Sequence, residues 1–228
     1  MCDPILEEGV ECLCQSDPRI NECLDGRLQA VLSLLNRYIE EIELFNSAYS
    51  LVGVKDRREL VVKHILDCLA PLGIIHGLLS KPSAIADVGS GAGLPGIPLA
   101  ICLPDHSFTL IEHKRKRAGF LRNVQAVLSL SHVTVKEVDM DKHDPARFDL
   151  ITFRAFSPLS DSMLKSLFRL LRSDGVIAAY KGRLLKVEDE LRPLSYSGFK
   201  SAPTPLASVI GVTVPFLDEE RCLVVMRI

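Results

Sequence analysis

At 228 residues the chain is long enough for one generous domain, and its 47% of hydrophobic residues can fill a real core, which excludes global disorder. A formal net charge of −2 excludes capture of nucleic acid by a bulk positive field, though not by a local basic face. The seven cysteines are odd in number and contain no C-x-x-C pair, so they read as reduced thiols of a cytoplasmic protein. Cys12-x-Cys14 lacks the second half that a metal site needs, and no metal is expected. No uncharged apolar run reaches the roughly 18–20 residues that cross a bilayer. The first residues lack the basic and apolar regions of a signal peptide, so no membrane association is expected.

The first 80 residues read as helical. Residues 4–13 suit a short helix. Residues 24–45 suit a longer one, with Leu28, Val31, Leu32, Leu35, Tyr38, Ile39 and Ile42 recurring at spacings of three and four. Asn46-Ser-Ala-Tyr-Ser50 breaks that pattern. A third helix spans about 57–71 and stops at Pro71. From residue 81 short apolar runs alternate with helical stretches. Strands are expected at 84–88, 107–111, 132–137, 149–153 and 175–180, and helices at 95–103, 114–130, 161–172 and 184–192. This alternation implies an α/β fold with a doubly wound, mostly parallel sheet. Two β-like runs near 208–214 and 221–227 would add a terminal hairpin and bring the sheet to seven strands. Residues 1–80 are expected to pack as a helical extension on 81–228 in one compact, monomeric unit.

The densest signal is Ile85-Ala-Asp-Val-Gly-Ser-Gly-Ala-Gly-Leu-Pro-Gly-Ile-Pro98, a strand, a glycine-rich turn and a helix start. Glycine takes φ > 0 without strain and lets the backbone approach a ligand. Such a turn at the carboxyl end of a strand is where open α/β sheets bind nucleotide-like cofactors. Gly91, Gly93 and Gly96 fit the dinucleotide fingerprint G-x-G-x-x-G. Gly89, Gly91 and Gly93, with Asp87 before them, instead fit D-x-G-x-G-x-G. That pattern resembles the first motif of Rossmann-like S-adenosylmethionine-dependent methyltransferases. The second fit explains more residues, because it uses the acid. A plain tight turn is the bland alternative.

Further along, Glu112 ends the second strand, where an acid accepts hydrogen bonds from ribose hydroxyls; that position serves either cofactor. Val138 and Asp139 follow the third strand, where methyltransferases commonly grip adenine. Arg154 follows the fourth strand and offers a fork of donors at the reacting centre. No Asn/Asp-Pro-Pro-aromatic motif stands there, which disfavours methylation of an exocyclic amine. Lys181 and Arg183 end the fifth strand, and Lys114-Arg-Lys-Arg117 opens the helix after the second. These are candidate RNA contacts, with solvated charges as the alternative. His64 and Asp67 share a helix face and either bridge onto the sheet or line the substrate mouth. No nucleophile–base pair appears.

Taken together, Val62-Lys-His-Ile-Leu-Asp67, the glycine run, Lys116-Arg-Ala-Gly-Phe-Leu-Arg122, Thr152-Phe-Arg-Ala-Phe156, Tyr180-Lys-Gly182 and Glu220-Arg-Cys-Leu-Val-Val225 occur in order. They resemble the bacterial small-subunit rRNA methyltransferase G family, also called glucose-inhibited division protein B. The resemblance implies a cytoplasmic enzyme that forms 7-methylguanosine at one guanine of 16S rRNA, within the small subunit or an assembly intermediate. It implies a cofactor site of Gly89, Leu94, Val138, Asp139 and Arg154, to which the general methyltransferase pattern adds Asp87, Gly91, Gly93 and Glu112. Arg154 would position the reactants, with no general base, because guanine N7 carries no proton. RNA contacts would come from His64, Lys114, Arg115, Lys181 and Arg183. The chain departs from the family pattern at Ser50, Val52, Cys68 and Cys222. Other readings are a small-molecule methyltransferase, a non-catalytic RNA-binding or assembly factor, and an NAD-dependent oxidoreductase.

Overall fold

The computed structural model describes residues 3–24, 26–79, 82–154, 159–192 and 207–227. Ala155 and Phe156 of the Arg-Ala-Phe piece lie outside them. Helix α1 (Pro4–Ser16) starts where the Asp3 carboxylate accepts from the Ile5 and Leu6 amides, with Pro4 at the first helical position. It buries Leu6, Val10 and Leu13. Helix α2 (Pro18–Leu24) was not legible in the sequence, because seven residues are too few to show a period. Helix α3 (Leu28–Tyr49) buries the expected stripe from Val31 to Ile42. It runs past Asn46, contrary to expectation. The Asn46 side chain exchanges two hydrogen bonds with the Val52 backbone, at 2.9 and 3.0 Å, and so fixes the chain just beyond the helix end.

The next helix begins at Asp56, which caps the Glu59 amide. It passes from α4 (Arg57–Leu60) through a π-helical stretch (Val61–Leu66) into α5 (Asp67–Leu69). It ends at Leu69, close to the expected stop at Pro71. Proline is tolerated where a helix begins, and α6 (Leu72–Leu78) resumes from it, with the Ile75 amide on the Pro71 carbonyl. By length and composition alone Arg57–Leu78 could cross a membrane, but 72% of its most apolar window is buried inside the protein.

The seven-stranded sheet has the order β3-β2-β1-β4-β5-β7-β6. Its strands are β1 (Ala84–Val88), β2 (Ser107–Ile111), β3 (Val133–Lys136), β4 (Phe148–Arg154), β5 (Leu171–Lys181), β6 (Ala207–Val212) and β7 (Arg221–Arg227). The first five are parallel; β7 runs antiparallel to β5 and to β6, the expected hairpin. Strand β5 begins earlier than expected, because Leu171 pairs with Phe148 before the exposed residues 172–174 bulge out of register. Helices α7 (Gly96–Cys102), α8 (Arg115–Val127), α9 (Asp161–Leu170) and α10 (Leu184–Leu191) follow β1, β2, β4 and β5.

The pleat sends alternate residues into two cores. Ile85, Leu110, Leu150, Ala178 and Leu223 face α1, α3 and the π-helical stretch. Ala86, Ile111, Ile151, Ile177 and Val224 face α9 and α10. Strand order reverses between β1 and β4, and the crevice at such a switch point is where open α/β sheets bind ligands.

Candidate active site

The loop from Gly89 to Pro95 leaves β1 at the switch point, with φ of +68°, +58° and +93° at Gly89, Gly91 and Gly93. Its glycines divide by role. A Cβ at Gly93 would lie 2.7 Å from Ile97 Cγ1 and 3.2 Å from the Tyr38 hydroxyl, and one at Gly96 would lie 2.7 Å from Asp87 Oδ2. Those two glycines let the loop pack against α3, α8 and β1. Gly89 and Gly91 instead line an open cavity of about 450 Å³.

The loop's donors are almost all occupied by protein. Gly89 and Ser90 N–H groups donate to the Ile111 carbonyl, Gly93 and Leu94 to the Ser90 carbonyl, and Ile97 to that of Gly93. Gly91 N–H donates to Glu112 Oε2 at 2.9 Å, and Gly96 N–H to Asp87 Oδ2 at 3.2 Å. Pro95 has no N–H. Of the donors from Gly89 to Ile97 only Ala92 is left over among the described residues. Tyr38, fully buried in α3, pins the loop from behind by donating to the Ala92 carbonyl at 2.7 Å.

Two buried acids support this loop. Glu112, 2% exposed just beyond β2, accepts from Gly91 and, through Oε1, from the Lys114 amide at 2.7 Å. His113 Nδ1 lies 3.5 Å from Oε1, and Oε2 keeps a second lone pair for a ligand hydroxyl. Asp87 lies beneath the loop, wholly buried, and burial pushes its carboxyl up to about 7. Its Oδ1 has no partner among the described residues, and neither has the hydroxyl of Thr152, which faces it across β1 and β4.

Arg154 closes the other wall. Its Nη1 donates to Asp67 Oδ2 at 2.9 Å and to the Lys63 carbonyl at 3.2 Å, and its Nη2 lies 2.7 Å from His64 Nδ1. Asp67 Oδ1 accepts in turn from Arg221 Nε at 3.0 Å. A guanidinium only donates, so His64 Nδ1 is the acceptor and the ring proton sits on Nε2. Burial and the adjacent Arg154 charge push the imidazole down to about 4, so it is neutral at physiological pH. Among the described residues three of the five Arg154 N–H groups have partners, which leaves two for a ligand.

His64, Arg154 and Gly53 also border a second cavity of about 470 Å³, lined further by Tyr180, Lys181, Arg221 and Cys222. The two cavities therefore meet at the π-helical stretch, a distortion often found at functional sites.

The structure brings together Gly89, Gly91, Leu94, Glu112, Lys114, Arg154 and His64 around the first cavity. It places Asp87 and Gly93 beneath the loop. It does not bring Val138 and Asp139 to either cavity: Val138 packs against the second core, and exposed Asp139 caps the Asp141 amide at 3.1 Å. Lys181 borders the second cavity but is tied to Glu190 at 2.6 Å, and Arg115 and Arg183 are exposed outside both. Sequence reasoning missed Tyr38 and Arg221. Tyr38 hides in the apolar stripe of α3, marked only by its hydroxyl.

Comparison with known proteins agrees with this geometry. The family model described as rRNA small subunit methyltransferase G matches residues 31–205. A Ribosomal RNA small subunit methyltransferase G of Treponema pallidum (strain Nichols) is 41% identical over 202 residues, covering 87% of this chain and 86% of that protein. The protein of the same name from Sodalis glossinidius is 35% identical over 94% of this chain and 95% of its own. Among solved structures, a putative S-adenosyl-L-methionine-dependent methyltransferase from Methanococcus maripaludis shares the fold. Its TM-score is 0.57 at 15% identity, covering 83% of this chain and 91% of that one. The Burkholderia thailandensis 1,6-didemethyltoxoflavin-N1-methyltransferase, solved with S-adenosylhomocysteine, gives 0.55 at 16% identity, with 83% and 87% covered.

Proposed function

This chain belongs to the rRNA small subunit methyltransferase G family, and on that premise we propose that it methylates N7 of one guanine in 16S rRNA, using S-adenosylmethionine. The observation that carries the cofactor reading is the donor census of the glycine loop. A dinucleotide pyrophosphate needs unpaired N–H groups at a helix start. Here those groups are nearly all spent on protein acceptors, one of them the Glu112 carboxylate. What the loop offers is carbonyl oxygens and a buried acid, which suit a cationic cofactor with a ribose. The side chains present thus fit S-adenosylmethionine and disfavour NAD.

When bound, S-adenosylmethionine supplies a methyl group on a sulfonium, whose sulfur keeps the bonding pair as a neutral thioether. The chain's own residues position the acceptor. Glu112 accepts from ribose hydroxyls while holding Gly91 in place. Arg154, anchored by Asp67 and His64, lines both cavities. His64 presents Nε2–H at that junction and donates to guanine O6, the acceptor beside N7 on the same base edge. The N7 lone pair attacks without losing a proton, so a neutral donor and in-line placement suffice. The second cavity takes the base, swung out of its stack. Val138 and Asp139 would reach adenine only by movement of the segment after β3. The low net charge suits placement by a structured particle, the small subunit or an assembly intermediate in the cytoplasm.

Calorimetric titration with S-adenosylmethionine and with NAD tests the cofactor assignment. Saturable binding of the first alone is expected; comparable binding of NAD would overturn it.

A further inference from the structure

A third hollow continues the track along α4. It measures about 260 Å³, shares Glu59 and Lys63 with the second cavity, and is otherwise lined by Lys55, Arg58, Val62 and Phe216 among others. Phe216 is an unusual choice for its position. The Leu217 amide donates to the Val214 carbonyl at 3.2 Å, closing a turn with Pro215 and Phe216 at its centre, and Phe216 has φ +65°. Pro at the first central position and positive φ at the second define a type II turn, where glycine or asparagine is favoured and a bulky residue is strained. Burial does not offset that strain: the ring is 42% exposed, while neighbouring Val214 is 3% exposed.

What the ring does meet is Arg58, whose guanidinium carbon lies 5.9 Å from the ring centroid. Arg58 and Lys55 make no ion pair among the described residues. The acids nearby are already engaged: Asp56 caps the Glu59 amide, and Glu59 holds the Lys63 ammonium and the Lys55 amide. The hollow therefore offers an exposed aromatic face, a planar cation and a free ammonium. Unpaired RNA bases stack on aromatic rings and arginine planes, with cations on the adjoining phosphates.

We propose that Phe216 and Arg58 form a stacking platform for an unpaired base of the substrate RNA, next to the cavity that takes the methylated base. This rests on the reading of the chain as an rRNA methyltransferase. The test uses the full chain, unmethylated small ribosomal subunits and naked 16S rRNA. Phe216→Gly relieves the turn, so its thermal midpoint should rise and S-adenosylmethionine binding should be unchanged, while KM for subunits rises about tenfold or more. Phe216→Trp keeps the platform and should keep wild-type KM. The chain contains no tryptophan, so that variant also carries a single reporter, and its fluorescence should be quenched when RNA binds.

An unchanged KM for Phe216→Gly would overturn the platform, as would a fluorescence signal from Phe216→Trp that is indifferent to RNA. A wild type that binds S-adenosylmethionine yet neither binds nor methylates subunits would overturn the rRNA reading and the platform with it. Failure confined to the variants removes the platform alone.

Discussion

Replacing Asp87 with asparagine should change how the protein's stability responds to pH. The carboxyl is wholly buried, accepts one backbone hydrogen bond from Gly96, and has a second oxygen with no partner among the described residues. Burial pushes it from an ordinary 3.8 up to about 7. A raised carboxyl favours folding below the unfolded value and loses that contribution as pH rises through the folded one. Each tenfold in proton affinity is worth about 1.4 kcal/mol, so the whole effect is on the order of 4 kcal/mol, and roughly 3 of it falls between pH 5 and pH 8. Asparagine carries no charge at either pH, and its own unpaired amide adds a constant cost of about 1–3 kcal/mol. The stability of Asp87→Asn minus that of wild type should therefore grow by roughly 3 kcal/mol from pH 5 to pH 8, whatever the constant. In urea titrations at the two pH values this appears as a midpoint difference that moves toward the variant at pH 8. Parallel curves, with the same difference at both pH values, would refute the assignment of a proton to Asp87. The same ionisation should couple to the cofactor, since a cation binds best over an ionised carboxylate: S-adenosylmethionine affinity should rise with pH through about 7 in wild type and stay flat in the variant.

Glu112→Gln keeps the shape but removes the charge and one of two acceptors that hold the Gly91 and Lys114 amides; cofactor affinity should fall about tenfold by calorimetry, with a stability loss of about 1 kcal/mol. Ser50 closes α3 with φ +49° and is exposed, so Ser50→Gly should stabilise the protein by about 0.5–1 kcal/mol in chemical denaturation. His64, pushed down to about 4, should show the Nε2–H tautomer in nitrogen-15 spectra and stay neutral from about pH 5.5 to about pH 8.5. Turnover across that window should then owe no inflection to it, and an imidazolium signal near neutral pH would remove its role as a neutral donor.

Much of the sheet domain was legible because its signals are local. Five parallel strands came from short apolar runs, and β1 and β2 match expectation residue for residue, since each is bounded by turn residues or charge. Glu112 was readable from its spacing to the glycines. What joins distant segments was not. Arg154 was visible as a strand-end arginine, but its link through Asp67 to Arg221 spans residues 67, 154 and 221, brought together only when β7 inserts beside β5. Tyr38 reads as one more apolar residue until α3 is laid behind the loop. Helices α2 and α6 were missed for their brevity, seven residues each. Adenine contacts at Val138 and Asp139 came from a resemblance in sequence order, and order alone does not say which way the segment after β3 turns.

The central claim is tested most directly by methyl transfer from labelled S-adenosylmethionine to small ribosomal subunits from cells lacking the homologous enzyme, with the modified base mapped by nuclease digestion and mass spectrometry. The account predicts label on a single guanine of 16S rRNA, recovered as 7-methylguanosine. Label elsewhere, or no label from an enzyme that binds the cofactor, would contradict it.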